Sequence, residues 1–296
     1  MNPNFGKATG FERIFVIGLY MFMTLFCISV LYPFMNIMAL SFNQGVDALK
    51  GGITIWPRKF TLENYRIIFD DPTLYHAIFV SVSRTVIGTL TALFFTSLVA
   101  FCLTKERLVG YHFYLILFLL PMYITAGIIP TYLLYKGIAL TDSFWVYIIP
   151  NLVWAYNVII MRTFFKAIPA SLTEASMMDG ASEFTVFFRI IVPLSTPVIA
   201  TIALYNAVWN WNSWLDTVLF TRSTNLDTLM SLLSKMLMEQ QSNQIATMKS
   251  ADRVQYLTPQ VLKAAMTMVT TIPIILVYPF LQKYFVKGVM IGAVKG

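Results

Sequence analysis

Charged side chains are scarce in this sequence. Only 12% of its 296 residues are Asp, Glu, Lys or Arg and 57% are hydrophobic, whereas a soluble globular domain usually has about 25% charged residues. The stretch from Ile14 to Val46 contains none of these charged residues, and further uncharged runs cover 85–104, 108–135, 143–161, 190–215 and 264–282. This composition excludes an ordinary soluble domain.

Residue types that carry catalysis are also rare. The two cysteines, Cys27 and Cys102, lie inside apolar runs and are too few to suggest a disulfide or metal framework. If the uncharged runs are membrane helices, the only two histidines, His76 and His112, fall near opposite membrane faces and cannot share a metal. No G-x-x-x-x-G-K-S/T phosphate loop occurs, so the chain cannot hydrolyse ATP by that route. We therefore predict no catalytic residue, no metal site and no cofactor bound by this chain.

The uncharged runs each reach or approach the roughly 20 residues that cross a bilayer core as a helix. They predict an all-α integral membrane protein with six transmembrane helices, near residues 14–42, 75–104, 113–135, 143–165, 196–219 and 262–284. The first run is too long for the core of a signal peptide, so we expect it to be retained. We predict a cytoplasmic N-terminus, 1–13, followed by a single transmembrane domain, 14–296.

The net charge of +7 has an explanation that needs no nucleic acid, because the cytoplasmic ends of membrane helices gather Lys and Arg. With both termini inside, the inner cations crowd short segments beside helix ends. The outer cations are spread through two long loops, 43–73 and 220–261, that also carry acidic residues. This pattern predicts an N-in, C-in topology with an inner loop at 166–195 and a cytoplasmic tail at 283–296.

The inner loop is polar and turn-rich although it lies between two apolar runs. Ser171 and Glu174 have capping-box spacing, which predicts that a helix begins near Ser171. Gly180 follows this helix at the place where a left-handed residue is needed. A second short helix and a return at Pro193 would then lead back into the membrane.

This loop resembles the EAA loop of ABC importer permeases, whose pattern is E-A-A-x3-G-x9-I-x-L-P. The match holds at Glu174, Ala175, Gly180, Ile190 and Pro193, and it departs at two further positions, where Ser176 replaces Ala and Val192 replaces Leu. An amphipathic connector that lies on the membrane surface is the alternative interpretation. The five matched positions favour the EAA loop.

The resemblance implies a type I ABC importer permease fold, in which this loop docks in a groove of a separate ATPase. The residues at or near the docking surface would be Glu174, Ala175, Ser176, Asp179 and Gly180, while Ile190 and Pro193 would set the return of the loop. The implied partners are a second homologous permease in a heterodimer, two copies of an ABC ATPase that uses MgATP, and an extracellular or periplasmic sugar-binding protein, which in some such systems is a lipoprotein. Membrane lipid is the remaining partner.

Two further segments are similar to the smaller permease subunit of carbohydrate importers, namely Asn210-Trp211-Asn212-Ser213-Trp214 and the tail over 282–288 and 292–296. They imply a bacterial cytoplasmic (inner) membrane protein that translocates an oligosaccharide. A permease for an amino acid, phosphate or polyamine is the alternative within the importer class. An ATP-independent pore would not need the glycine-turn loop, and an intramembrane enzyme would need clustered acidic, His or Ser/Lys groups at one depth.

The fifth predicted helix is unusually polar for a membrane segment. At about 100° per residue, seven of its residues fall within an arc of roughly 160°: Tyr205, Asn206, Trp209, Asn210, Asn212, Ser213 and Asp216. Polar groups are costly against lipid, so this arc is predicted to line a substrate pathway. The alternatives are amides that bond helix to helix and an interfacial belt of tryptophans.

Arg84 is the only charge well inside the second apolar run. The topology places it in the outer half of the membrane together with Asp216, so the two side chains are predicted to pair beside the pathway. The alternative is that Arg84 extends to the outer surface, as long cationic side chains near helix ends do.

Overall fold

The structure is a computed structural model that describes residues 10–124, 126–243 and 258–293. Within these residues the chain is helical without a sheet, and an isolated antiparallel bridge joins Asn43 to Phe60. The α-helices are α1 (Gly10–Ser41), α2 (Gly45–Ala48), α3 (Glu63–Asp70), α4 (Pro72–Cys102), α5 (Tyr111–Leu119), α6 (Ile128–Gly137), α7 (Ala155–Lys166), α8 (Ala170–Met178), α9 (Glu183–Val186), α10 (Val192–Leu194), α11 (Thr196–Asn212), α12 (Leu215–Phe220), α13 (Leu229–Asn243) and α14 (Pro259–Ala293). Shorter 3₁₀ turns cover Leu120–Met122, Phe144–Tyr147, Ile149–Asn151 and Thr224–Leu226, and a π-helical turn covers Phe187–Ile191.

Four predicted segments fall partly outside the described residues. They are the N-terminal segment 1–13, the span 113–135 at residue 125, the outer loop 220–261 over residues 244–257, and the tail 283–296 over its last three residues.

Three described helices are long and apolar enough to cross a membrane, namely Phe11–Ser41, Pro72–Cys102 and Pro259–Val277. The number rises to five if each of two bent pairs counts as one span: Phe144–Asn151 with Ala155–Lys166, and Glu183–Leu194 with Thr196–Asn212. The all-helical, multi-pass prediction is thus supported, while the described helices do not by themselves give six spans.

The third predicted span, 113–135, is not one helix. It passes from α5 into a 3₁₀ turn that contains Pro121, and α6 begins only after Gly127. Proline lacks a backbone donor, and the φ of +76° at Gly127 is one that favours glycine. The prediction of a continuous helix here was wrong because the apolar composition alone does not mark such breaks.

The fourth and fifth predicted spans are broken as well. Residues 144–151 form two 3₁₀ turns around Pro150 and meet α7 at a bend of 46°. In the fifth span α11 ends at Asn212, and α12 begins at Leu215 after an extended Ser213. These breaks leave backbone and side-chain polar groups inside an apolar region, where they must face protein or a cavity.

The chain divides into two compact units. The first combines the residues up to Asp71 with Met236–Thr271, and the second combines Pro72–Lys235 with the residues from Ile272 on.

In the first unit, two buried amides hold together the part of the loop 43–73 up to Asn64. The Oδ1 atom of Asn43 accepts from the backbone N–H of Lys59 at 2.9 Å, and its Nδ2 donates to Asp47 at 3.2 Å. Asn64 donates to the carbonyls of Ser41 and Asn43 at 2.8 and 2.9 Å. Both amides are almost fully buried, so these bonds satisfy polar groups that would otherwise destabilise the loop, although Asn64 Oδ1 accepts no bond.

The second unit contains an apolar core where the C-terminal end of α4, α7, the inner loop and α11 meet. Its buried members are Ala100, Phe101, Leu103, Val158, Met161, Phe165, Val186, Phe187, Ile191, Val198 and Ile202. Three of these, Val186, Phe187 and Ile191, come from α9 and the π-helical turn. The second helical part of the inner loop is therefore held by the core.

At the opposite end of the second unit, Asp142 joins two loops. Its Oδ1 accepts from the backbone N–H groups of Ser223 and Arg222 at 2.8 and 3.0 Å, and its own N–H donates to the carbonyl of Phe220 at 2.8 Å. The bond from Ser223, followed by that from Arg222, lowers the pKa of Asp142 below its ordinary value. The backbone of Asp142 is left-handed, with a φ of 56°.

We expect Asp142→Ala to lower the thermal unfolding temperature at pH 7 more than Asp142→Asn does. Asparagine keeps an acceptor oxygen and tolerates the left-handed conformation, whereas alanine does neither. The pKa of Asp142 is lower in the folded than in the unfolded protein. Its charge therefore stabilises the fold at pH values above the unfolded pKa, and this stabilisation is lost as the pH falls through the folded pKa. The difference between the wild type and Asp142→Asn should therefore be present at pH 7 and shrink below about pH 4. A difference that grows on acidification would contradict this assignment, and unfolding scans at several pH values test it.

Candidate functional site

The first helix of the inner loop, α8, begins earlier than the sequence predicts. It starts at Ala170 directly after Pro169, and no side-chain cap bond is made at that end. Ser171 lies inside the helix, so the predicted capping box with Glu174 is wrong. Pro169 supplies a different signal, because proline cannot continue the preceding helix α7. It takes the N-cap position of α8, where its carbonyl accepts from the N–H of Leu172 at 3.2 Å.

The end of α8 agrees with the prediction. Gly180 has a φ of +84°, and its N–H donates to the carbonyl of Met177 at 3.0 Å. The N–H of Ala181 donates to the carbonyl of Ser176 at 3.0 Å. These two bonds form a Schellman motif, in which the glycine takes the left-handed position that closes the helix.

The loop after this turn is fixed on both sides. The Oγ of Ser182 accepts from the N–H of Thr185 at 3.3 Å and caps α9. Glu183 pairs with Lys105 at 2.9 Å, which joins the inner loop to the short loop after α4. Lys166 pairs with Glu106 in the same loop, and this hydrogen bond lowers the pKa of Glu106. Since these pairs are exposed, they add little to stability, and the apolar core carries most of the anchoring.

The sequence-predicted residues of the loop differ in exposure. Glu174, Ala175, Asp179, Gly180 and Pro193 are exposed, whereas Ser176 and Ile190 are half-buried. The next apolar helix then leaves the loop at a bend of 82°. The loop thus presents α8 to its surroundings while α9 and the π-helical turn sit in the core.

A cavity of about 980 Å³ lies in the second unit, beside α6, α11 and α12. Its described lining is mostly aliphatic and aromatic, with a few polar side chains between them: Ala126, Gly127, Ile128, Thr131, Tyr135, Val146, Pro150, Asn151, Leu204, Tyr205, Val208, Trp209, Asn212, Ser213, Trp214, Leu215, Asp216, Leu219 and Phe220. Five residues of the predicted polar arc are among them, Tyr205, Trp209, Asn212, Ser213 and Asp216. Cavities of this size can hold a molecule of several hundred daltons.

The sequence analysis missed the side of the cavity that comes from α6. Thr131 and Tyr135 lie four residues apart on that helix and both line the cavity. Trp214, in the break between α11 and α12, also lines it. The i, i+4 spacing of Thr131 and Tyr135 was the available signal, but it is weak in a segment so rich in tyrosine.

The other two residues of the arc, Asn206 and Asn210, do not line the cavity. They are 6% and 3% exposed and lie with Val198 and Ile202 on a buried stripe of α11 at four-residue spacing. Asn157 of α7 donates to Asn206 Oδ1 at 3.2 Å, and Asn210 Nδ2 donates to the carbonyl of Asn206 at 2.9 Å. The structure thus places these two amides against packed helices, whereas the other five residues of the predicted arc lie on the cavity wall. Asn206 bonds across to α7, as interhelical amides do, while the bond of Asn210 stays within α11.

Gly88 of α4 allows this close packing. A Cβ atom added there would lie 3.0 Å from Nδ2 and 3.1 Å from Oδ1 of Asn210. The backbone of α4 therefore approaches the Asn210 amide at a distance that a side chain at position 88 would not permit.

We expect Gly88→Val to destabilise the protein by about 1–3 kcal/mol, the usual cost of overpacking a buried contact. Adding Asn210→Ala should recover part of this loss because it opens the space that the valine needs. The measurement is the thermal unfolding of the two single variants and the double variant in one detergent. Equal stability of Gly88→Val and the wild type would show that these helices do not pack as described.

Arg84 and Asp216 form an ion pair, as the sequence predicts. Nη1 of Arg84 donates to Asp216 Oδ1 and to the carbonyl of Ser213, each at 3.2 Å, and Nη2 pairs with Oδ2. The guanidinium carbon lies 4.5 Å from the ring centroid of Tyr147. The Arg84 side chain has no exposed surface, so the alternative in which it extends to the outer surface is wrong.

Comparison with known proteins gives results of three kinds. The sequence model of the family described as binding-protein-dependent transport system inner membrane component matches residues 12–291. The chain is 36% identical over 285 residues to the polygalacturonan/rhamnogalacturonan transport system permease protein YtcP of Bacillus subtilis, covering 96% of this chain and 99% of that protein. It is 28% identical to the arabinooligosaccharides transport system permease protein AraQ of Halalkalibacterium halodurans, covering 90% and 91% of the two chains.

Among solved structures, a chain from a bacterial ABC transporter involved in the import of the acidic polysaccharide alginate matches with a TM-score of 0.84. That chain is 27% identical, and the match covers 94% of this chain and 99% of the other.

Proposed function

The chain belongs to the family of binding-protein-dependent transport system inner membrane components, and from this premise we propose that it is the membrane-spanning permease subunit of an ATP-driven ABC importer for an oligosaccharide. Its all-helical fold is that of type I ABC importer permeases. Members of the family are non-catalytic, with the ATPase on a separate subunit. In this proposal the chain itself binds no cofactor, and its partner ATPase uses MgATP.

The proposed cargo is a carbohydrate delivered by an extracellular or periplasmic binding protein. The names of the relatives support this class, since each refers to the transport of a polysaccharide or an oligosaccharide. The cavity supports it too, because amide and hydroxyl side chains can bond sugar hydroxyls while indole rings offer flat apolar faces.

The observation that carries the coupling proposal is the exposed helix α8 with its left-handed stop at Gly180. In this proposal α8 docks on the ATPase through Glu174, Ala175, Ser176, Asp179 and Gly180. Ile190 and Pro193 direct the chain back to the membrane, and the anchored second half of the loop transmits movement of the ATPase to the core around α4, α7 and α11. Alternating access then follows from closure of the ATPase pair on ATP.

The proposed pathway is lined by Tyr205, Trp209, Asn212, Ser213 and Asp216, with Arg84 behind Asp216. A second homologous permease forms the opposite wall. We place the protein in the bacterial cytoplasmic membrane as one permease domain, 14–296, with six spans and both termini inside. The broken segments at 111–137, 144–166 and 196–220 each count as one span in this topology.

Isolation of the chain from its native membrane in a mild detergent tests the assembly. A homologous permease and an ABC ATPase should co-purify, and the reconstituted complex should hydrolyse ATP faster when the binding protein carries its oligosaccharide. A chain that purifies alone, or only with itself, would contradict the importer assignment. If the complete complex shows no ATPase stimulation by any oligosaccharide but is stimulated by another solute, only the proposed cargo class would be contradicted.

A further inference from the structure

The cavity presents very little charge to a molecule inside it. Among its described lining residues, Asp216 is the one side chain that carries a charge at neutral pH. No Lys, Arg or His of the described residues lines the cavity. Asp216 is also only partly accessible, with 18% of its side chain exposed.

The charge of Asp216 is already engaged by neighbouring donors. Both of its oxygens accept from Arg84, and Oδ1 also accepts from the Ser213 hydroxyl at 3.0 Å and from the N–H of Thr217 at 2.9 Å. Arg84 lies behind the carboxylate with no exposed surface, so the cation does not reach the cavity. A bound molecule would meet the edge of a carboxylate rather than a positive group.

The remaining polar groups on the wall are uncharged. Thr131, Asn151, Asn212 and Ser213 supply hydroxyls and amides that can both donate and accept. Such groups match the hydroxyls of a neutral sugar. A uronate carboxylate, by contrast, would lose its hydration without gaining a cationic partner and would lie near another carboxylate, and both effects oppose its binding.

We infer that this wall accepts uncharged sugar units and disfavours carboxylated ones, and that it thereby biases the importer toward the neutral form of an oligosaccharide over its acidic form. This inference rests on the proposed function. The inferred charge of the cargo differs from that of the structural neighbour, which belongs to an importer of an acidic polysaccharide. It differs as well from that of the Bacillus subtilis relative, whose polygalacturonan substrate is built of uronate units.

The test compares uptake of one oligosaccharide in two forms, with its uronate carboxylates free and with the same groups methyl-esterified. The complete importer is reconstituted in vesicles with its own binding protein. The oligosaccharide is chosen so that the binding protein binds both its acidic and its esterified form. The wild type should take up the ester faster. Asn212→Lys places a cation on the wall and should shift the ratio of acidic to neutral uptake upward by roughly tenfold, the scale of a new charge pair in a poorly hydrated site.

Asn212→Gln is the matched control, because it lengthens the side chain without adding charge and should leave the ratio unchanged. Thr131→Lys repeats the experiment from α6, in case Asn212→Lys fails to assemble. Preferential uptake of the acidic form by the wild type, or an unchanged ratio in both lysine variants that assemble, would overturn the inference and leave the importer function intact. The absence of ATP-dependent uptake of any sugar would overturn the proposed function and this inference with it.

Discussion

Gly180→Val is expected to reduce transport, and the stimulation of the partner ATPase, by roughly tenfold while the membrane helices stay folded. The φ of +84° at Gly180 is the reason, since the left-handed region costs residues with a Cβ roughly 1–2 kcal/mol and β-branched ones are genuine outliers there. An energy of about 1.4 kcal/mol corresponds to tenfold in an equilibrium. The valine would relax by opening the turn that follows α8, and α8 would then dock poorly. Uptake and ATPase assays on the reconstituted importer provide the measurement.

Two controls separate backbone strain from bulk. A Cβ atom at Gly180 meets no atom within 4 Å, so a valine there is strained by conformation and not by crowding. Gly18 in α1 also has open space but an ordinary φ, and Gly18→Val should therefore retain transport. Gly180→Asn should keep most of the coupling, because asparagine tolerates the left-handed region. Normal transport by Gly180→Val would show that this turn does not set the position of the docking helix.

One end of helix α8 in the inner loop could be predicted from the sequence, and the other could not. Gly180 was predictable because a glycine just past a helix marks a left-handed stop, and the Schellman bonds agree with that prediction. The start of the same helix was not predicted correctly. Ser171 and Glu174 have the spacing of a capping box, yet Pro169 sets the first turn two residues earlier. Two valid start signals competed, and sequence spacing could not rank them.

The fifth span shows a different limit. Its polar residues were predicted to share one arc, but the helix ends at Asn212, and four-residue spacing places Asn206 and Asn210 on the stripe that packs against α4 and α7. Amides suit a cavity wall and a helix interface equally well, so residue type alone could not separate the two faces. Gly88 on α4 decides the matter, because its missing side chain admits Asn210, and that contact depends on tertiary packing.

Depth in the membrane allowed Arg84 to pair with Asp216 but equally allowed it to extend to the outer surface, and the structure shows the pair. Arg84→Met is expected to destabilise the protein by about 3–5 kcal/mol, the usual cost of removing one partner of a buried ion pair. The variant leaves Asp216 charged beside the cavity with only Ser213 and Thr217 as donors. It also removes the cation that lies over the Tyr147 ring. Thermal unfolding of the purified complex measures the loss.

The double variant Arg84→Met with Asp216→Asn distinguishes a lost charge pair from lost packing. Removal of both charges avoids an unpaired carboxylate, so the double variant should recover much of the stability that Arg84→Met loses. Arg84→Lys keeps the charge but cannot make the forked contact to both oxygens, so it should fall between the wild type and Arg84→Met. If the double variant is as unstable as the sum of its single changes, the two side chains act independently. Arg84 would then stabilise the helix break through Ser213 and Tyr147 alone.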